Sequence, residues 1–438
     1  MLQLRLLPIK CQFATKAIKA IFAKFKSPLS AYFVPKIGNA HSRLYNDSLI
    51  CVPLRVCFAN SAVLLDYYKT KINLKAKRAY AVSWLCKSVQ NCILYDIVEM
   101  VEKMQTTKIN NRRYLGNKYR LLPFITEVIS SECGDFESFA DIFAGTGAVS
   151  SAYTDKILYT NDILYSNYLC HLTWFSDEVF DMSKIEKYIE FYNSEIPFEE
   201  NYMTENFSDT YFSRKNCSKI GFIREHIENE FKAGKINNRE RAILITSLLY
   251  GIDKIANTCG HYDAYRKGVK LPESFTMYVP EPNPNLKHNH CYNEDTNELV
   301  KNISADIVYI DPPYNSRQYC DAYHLIENIA RWEKPEVFGV AKKMDRTTLK
   351  SKYCTRSAPN AFSDLINNLK AKYIVVSYNN MSNKGNDRSN ARISDTQILE
   401  TLKTKGNVKT FSEQFKAFTT GKSEHLDNEE RLFVCKCN

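Results

Sequence analysis

The chain has 438 residues, a formal net charge of +10, 28 tyrosines, 24 phenylalanines and only 14 glycines. That length carries two or three domains and a sizeable core, and an aromatic-rich, glycine-poor composition excludes a low-complexity chain. No apolar run reaches the length that crosses a bilayer, so a soluble chain with no membrane partner is expected. The 14 cysteines form no CxxC pair, and Cys435 and Cys437 are too close to make a zinc site alone. They read as buried or free thiols of a reducing cytosol.

The charge is unevenly spread. Residues 1–103 hold 16 Lys and Arg against 5 acids, whereas 104–438 hold 43 against 44. The basic excess therefore lies in the first hundred residues, and nucleic-acid contact by the body would need a local patch. No acid precedes Asp47, and apolar pieces such as Ile21 to Phe25 sustain no period. A nucleic-acid-binding extension and an organellar targeting segment are both readable there. The preferred reading is a non-native or non-essential extension, since a start at Met104 would fall just before the first recognisable pattern.

From Lys108 the pattern changes. A basic loop, Asn111 to Arg120, leads into an apolar, helix-like stretch from Leu121 to Ile129. Within it Gly116 permits close backbone approach, and Tyr114 and Lys118 supply a ring face and a cation. Next, Phe139 to Val149 reads as a short strand, a Gly145-Thr146-Gly147 turn following Phe143, and a small-residue helix start. Glycines there let a ligand approach the backbone. A second strand, Lys156 to Thr160, ends at Asn161-Asp162, and an acid in that place can hydrogen-bond ribose hydroxyls. Together these point to an adenosine-containing cofactor.

Residues 165–290 interrupt the alternation, with a helix expected at Arg239 to Ile255 and an aromatic, basic run from His261 to Lys267. Tyr262, Tyr265, Arg266 and Lys267 suit base stacking and phosphate contact, although an ordinary exposed loop reads equally well. Pro272, Pro280, Pro282 and Pro284 close the segment as a linker does. The sheet pattern resumes at Cys291 to Asp295, and a helix-like stretch runs on to Ile303. Tyr323 to Ala330 has helical spacing, with His324 expected to pack. Lys372 to Tyr378, Val408 to Phe415 and Leu432 to Cys435 read as strands, and Ser394 to Lys405 as a helix.

The apolar run Ile307 to Ile310 is the centre of the pattern. It ends at Asp311-Pro312-Pro313-Tyr314, a strand followed by a breaker, as open α/β sheets present groups at the carboxyl ends of their strands. Two prolines fix φ and remove two donors, leaving carbonyls as acceptors. With Asp311 and the Tyr314 ring they form a site for an exocyclic amine on a planar base: acceptors for its N–H groups and a face to stack on.

Tyr114-x-Gly116-Asn117-Lys118, Phe143-Ala144-Gly145-Thr146-Gly147, Asn161-Asp162 and Asp311-Pro312-Pro313-Tyr314, in that order, resemble the Dam-like class of DNA adenine-N6 methyltransferases. The longer string from Asp311 to Tyr319, with Tyr323-His324, looks like a subset found in type II restriction–modification systems. The resemblance covers roughly 107–438. It implies an α/β fold, a Rossmann-like, mostly parallel sheet with an antiparallel edge strand and an inserted, mainly helical target-recognition domain. The core would span 104–164 and 291–438, and the insertion 165–290.

The resemblance also implies S-adenosylmethionine as methyl donor, with Gly145 and Gly147 beside it, Asp162 on its ribose, Tyr114 and Lys118 on its methionine side and Asp295 on its adenine amine. Asp311 and the Pro312 carbonyl would accept bonds from the target N6, and Tyr314 would stack on the flipped base for direct in-line transfer, without a metal. Arg317 joins the expected DNA contacts. Duplex DNA is the implied partner, with any cognate endonuclease a separate chain, in a bacterial cytoplasm. Cytosine N4, adenine in RNA, or a silent DNA-binding subunit stay open as alternatives; a leading Asp rather than Ser or Asn favours adenine in DNA.

Overall fold

The computed structural model describes residues 106–438 apart from 113, 284, 285, 287, 380–390 and 415–428. The extension read at 1–103, Pro284 and Phe415 lie outside the described residues. In chain order the strands are β1 (Thr106–Thr107), β2 (Ser138–Asp141), β3 (Ile157–Asn161), β4 (Val279–Pro280), β5 (His290–Tyr292), β6 (Ala305–Ile310), β7 (Ala371–Asn379), β8 (Gly406–Gln414) and β9 (Glu429–Cys437). The helices are α1 (Leu122–Cys133), α2 (Tyr165–Phe175), α3 (Met182–Asn193), α4 (Tyr202–Phe207), α5 (Arg214–Lys232), α6 (Asn238–Ile255), α7 (Thr296–Leu299), α8 (Tyr319–Ala322), α9 (His324–Arg331), α10 (Ala358–Asn368) and α11 (Asp395–Lys403).

Seven strands form one sheet in the order β5-β3-β2-β6-β7-β9-β8, and β1 pairs with β4 separately. The first five run parallel, and β9 runs antiparallel to both neighbours. Covering helices bury both faces of β6, so its apolar run is continuous rather than alternating: Ile307, Val308, Tyr309 and Ile310 are all essentially inaccessible. The chain order reverses between β2 and β6, which opens a crevice at the carboxyl ends of these two strands.

Three expectations need correction. The reversed strand is not at the edge: β9 inserts between β7 and β8, because β8 and β9 pair as an antiparallel ribbon from Gly406 opposite Cys437 to Gln414 opposite Glu429. No α-helix starts after Gly147. Gly145 and Gly147 both take positive φ, and the chain continues through turns into a single 3-10 turn at Ser150–Ala152, since left-handed backbone does not propagate an α-helix. The stretch from Asp295 to Ile303 contains only the one-turn α7. By contrast, the helix expected at Arg239 to Ile255 is α6, started by a reciprocal capping box between Asn237 and Glu240.

The segment between β3 and β5 carries α2 to α6, whose apolar faces meet in one cluster containing Leu169, Ile189, Met203, Ile220, Ile243 and Leu248. Helix α9, which follows the central motif, adds Leu325, Ile326 and Ile329 to it. Helix α2 serves two cores: Leu169 and Leu172 face the helical cluster, while Cys170, Trp174 and Phe175 pack under the sheet with Phe139 and Leu158.

Buried charge reinforces this junction. Glu327 on α9 is inaccessible, and its two oxygens accept the Tyr165 and Ser166 N–H groups at 2.8 and 2.9 Å, capping α2 from another element. Arg331 donates to the same carboxylate at 2.7 Å. On the neighbouring helices Glu228 accepts from Arg224 and Arg241, and Arg241 also reaches the Tyr165 hydroxyl at 2.8 Å. Replacing Glu327 with Leu strands two helix-end donors and a partly buried cation, so it is expected to cost about 3–5 kcal/mol in urea unfolding. A loss under about 1 kcal/mol would mean the cap is dispensable.

Candidate active site

The crevice at the carboxyl ends of β2, β3 and β6 gathers stretches far apart in the chain, among them Tyr114 to Lys118, Phe143 to Thr146, Asp162 to Leu164, Asp295 to Asn297, Asp311 to Tyr314 and Thr348 to Tyr353. The glycine turn is shaped for close approach. Gly147 has φ +85°, and a Cβ there would lie 2.5 Å from the Phe175 ring; at Gly145, φ is +55° and a Cβ would come within 3.2 Å of Tyr114. Side chains at either position would be strained; at Gly145 one would crowd the crevice beside Tyr114, and at Gly147 one would collide with the core beneath the turn.

Asp162 closes this turn. Its oxygens accept the Gly145 N–H at 3.0 Å and the Leu164 N–H at 2.8 Å. Burial pushes its carboxyl up to about 7 against the lowering effect of those donors. Asp141, at the end of β2, went unremarked in the sequence. One of its oxygens accepts the Ser150 hydroxyl at 2.9 Å; the other is buried with no hydrogen-bond partner and belongs to the crevice lining. Burial, opposed by Ser150 and aided by Asp311, pushes Asp141 up to about 7. An acid two residues before Phe143 was the available signal.

Tyr114 stacks on Tyr323 at 4.6 Å and on Tyr319 at 5.5 Å between ring centroids, and its hydroxyl accepts from Asn167 at 2.9 Å. The Leu115 N–H donates to the Tyr323 hydroxyl at 2.7 Å. Gly116 (φ +74°) lies so near Tyr319 that a Cβ would meet its hydroxyl at 2.9 Å. Three rings thus pin the first motif to the helices that follow the fourth.

Lys118, buried, donates to Asp311 Oδ1 at 3.0 Å and to Glu430 Oε1 at 2.9 Å. Burial works against its charge, but the two carboxylates outweigh it and hold its pKa well above the ordinary lysine value. Burial raises Asp311 above the usual carboxylate range; Lys118 opposes that shift and Glu430 adds to it. Glu430 was missed altogether. It lies on β9, paired with Asn379, and nothing local in the sequence links it to Asp311.

The remaining lining residues differ in setting. Pro312 is buried, and Pro313 and Tyr314 are half-buried. The Tyr314 carbonyl accepts the Arg392 N–H at 2.8 Å, and its ring meets Tyr378 edge-on at 6.4 Å. Phe143 meets Tyr353 edge-on at 5.0 Å. Asp295, exposed at the rim, caps α7 through the Asn297 N–H at 3.0 Å.

Of the residues expected to touch nucleic acid, Arg266, Lys267 and Arg317 are exposed and Tyr265 is half-buried against Tyr211. Tyr262 is a correction. Its ring is only 3% exposed, its hydroxyl donates to Asp253 at 2.5 Å, and its carbonyl accepts from Tyr211 and contacts His324 at 2.8 Å. It is a core post, because a phenol with a buried acceptor in reach is more stable inside. His324 is packed as expected, with no exposed surface.

The strand order and the glycine turn define a Rossmann-like methyltransferase fold. Residues 114–389 match the model of the D12 class N6 adenine-specific DNA methyltransferases, and the chain belongs to that family. It is 33% identical over 304 residues to modification methylase LlaI of Lactococcus lactis subsp. lactis (62% of this chain, 46% of the relative). It is 36% identical over 293 residues to modification methylase StsI of Streptococcus sanguinis (61% and 44%). To type II methyltransferase M.FokI of Planomicrobium okeanokoites it is 32% identical over 340 residues (73% and 51%). The chain spans about half the length of each of these three relatives.

The Asp141 carboxyl gives a pH test. Its folded pKa, near 7, is above the ordinary value of 3.8, so its contribution to stability is complete below about pH 4 and is lost as pH rises through 7. Asp141→Asn is therefore expected to gain on the ligand-free wild type between pH 4 and 7 and to hold a constant advantage above. Thermal melts across that range check it; an advantage that does not grow with pH contradicts a buried, uncompensated carboxyl.

Proposed function

We propose that this chain transfers a methyl group from S-adenosylmethionine to N6 of adenine in duplex DNA, as the modification half of a restriction–modification system. The observation that carries the reading is Asp311-Pro312-Pro313-Tyr314 at the end of β6, across the crevice from the glycine turn that ends β2. The residues present fit the cofactor: a cradle that a Cβ would narrow at Gly145, beside Tyr114, and a buried Asp141 oxygen free to accept from a cationic ligand. When bound, S-adenosylmethionine supplies an electrophilic methyl on a sulfonium.

The chain's own residues do the rest. Asp162, fixed by two backbone donors, takes the ribose side, and Asp295 at the rim takes the adenine amine. Asp311 and the Pro312 carbonyl accept the two N–H bonds of the target amine. An amine held this way is more tetrahedral, and its lone pair turns out of the ring toward the methyl. Tyr314, fixed through its carbonyl and through Tyr378, offers its face to a base flipped out of the duplex. Holding both reactants in line supplies much of the acceleration. The helices between β3 and β5 make up the target-recognition region, with Arg266, Lys267 and Arg317 on DNA phosphates. Any cognate endonuclease is a separate chain.

The test is transfer of labelled methyl from S-adenosylmethionine to mixed-sequence duplex DNA, followed by nucleoside analysis. N6-methyladenine is expected; N4-methylcytosine would change the base, and label only in RNA would change the substrate. Asp311→Ala is expected to lower kcat by about a hundredfold or more while DNA affinity stays within a few-fold. Near-normal turnover in that variant would overturn the mechanism.

A further inference from the structure

Glu430 sits where no sequence motif points. The antiparallel pairing of β7 with β9 sets it opposite Asn379, and its side chain is only 4% exposed. Its Oε1 accepts both the Lys118 ammonium at 2.9 Å and the Ser377 hydroxyl at 2.6 Å. The same ammonium lies 3.0 Å from Asp311 Oδ1. One buried cation thus faces two carboxylates. Among the described residues, the other ionisable groups that interact electrostatically with Asp311 are Asp141 from β2, Tyr309 from β6, and Tyr314 and Tyr319 from the chain beyond it. The further cations described nearby, Lys350 and Lys352 on the crevice lining and Arg317 acting on Tyr314, are exposed, so Lys118 is the buried counter-charge of the site and its division between the two acids sets how negative Asp311 remains.

A carboxylate neutralised by a dedicated ammonium is a weak acceptor, whereas one that shares its cation with a second acid stays strong. We propose that Glu430 is a positioning residue for the amine-binding carboxylate: by sharing and anchoring Lys118, it keeps Asp311 oriented yet strongly accepting. This deepens the methyl-transfer reading and rests on it. Ser377 gives Glu430 a fixed rotamer, so the anchor is built from β7 and β9 rather than from the mobile end of a side chain. The reversed strand thereby contributes chemistry to a crevice otherwise lined from the parallel half of the sheet and its loops.

The variant that isolates charge from shape is Glu430→Gln, whose amide oxygen still accepts from Lys118 and Ser377. With the second carboxylate gone, Lys118 belongs to Asp311 alone. The acid limb of the kcat–pH profile is expected to move down by about one unit, and the plateau kcat to fall about tenfold. KM for S-adenosylmethionine and DNA affinity should stay within about twofold. Lys118→Met should move the limb the opposite way, and Glu430→Asp, which keeps the charge, should leave it near the wild-type position. A merely structural Glu430 would lower kcat or the melting temperature with the limb unmoved.

A direct readout keeps the two proposals separable. The Asp311 carboxyl can be titrated by NMR in ¹³C-aspartate-labelled protein and assigned with Asp311→Asn. Its midpoint should fall in Glu430→Gln whether or not the protein turns over. A midpoint that stays or rises overturns the role of Glu430. Wild-type protein that makes no N6-methyladenine overturns the reading of function, and the carboxyl titration still decides whether Glu430 governs Asp311.

Discussion

The parallel pairing of β2 with β6 is the constraint from which the site follows. Its register sets Asp141 beside Tyr309, so the chain leaving β2 turns through the glycines just where the chain leaving β6 reaches Asp311. Strands adjacent in space but far apart in sequence then open a crevice between two loops that a single connection cannot bridge. The two strands contribute unlike chemistry. One loop offers backbone and empty space; the other offers acceptors and a ring. Their closeness also concentrates acid, with Asp141, Asp162 and Asp311 lining one crevice, and the buried Lys118 is the cation that this arrangement requires.

Much of this was legible where the signal is local. A strand that ends at Asp-Pro-Pro-Tyr, a Gly-x-Gly turn after Phe143, and an acid after the next strand each occupy a few consecutive residues. The physics that makes them useful, fixed φ and tight turns, acts over the same few residues. The helix at Asn238–Ile255 was equally plain, because its capping box and its apolar spacing agree. Local consistency of that kind is what a sequence displays best.

What was not legible depends on pairing and burial. Glu430 reads as one acid in an acid-rich stretch until β9 is inserted between β7 and β8. Only that register, decided by where the last strand finds an unpaired neighbour, brings it to Lys118. Tyr262 shares its aromatic, basic composition with surface loops, and nothing in the composition tells a stacking ring from a buried post. The distinction lies in Asp253 and Tyr211, which accept from and donate to it inside the fold. The Gly145-Thr146-Gly147 turn was read correctly as a turn, but the expected helix after it was not found, because two left-handed residues redirect the chain before a helix can start.

Helix α2 carries one face in the core beneath the sheet and the other in the core of the helical body, and its first turn follows directly on Asp162. The two bodies therefore have a load-carrying member in common rather than a hinge between them. A rotation of the helical body, of the kind that gripping a long polymer would impose, has to be transmitted along this helix to the floor of the crevice, or else absorbed by side-chain repacking at both cores. Where the rotation is transmitted rather than absorbed, thermodynamic reciprocity requires that whatever stiffens the Asp162 turn also biases the posture of the helical body. Occupancy at one end and grip at the other are then two readings of a single equilibrium.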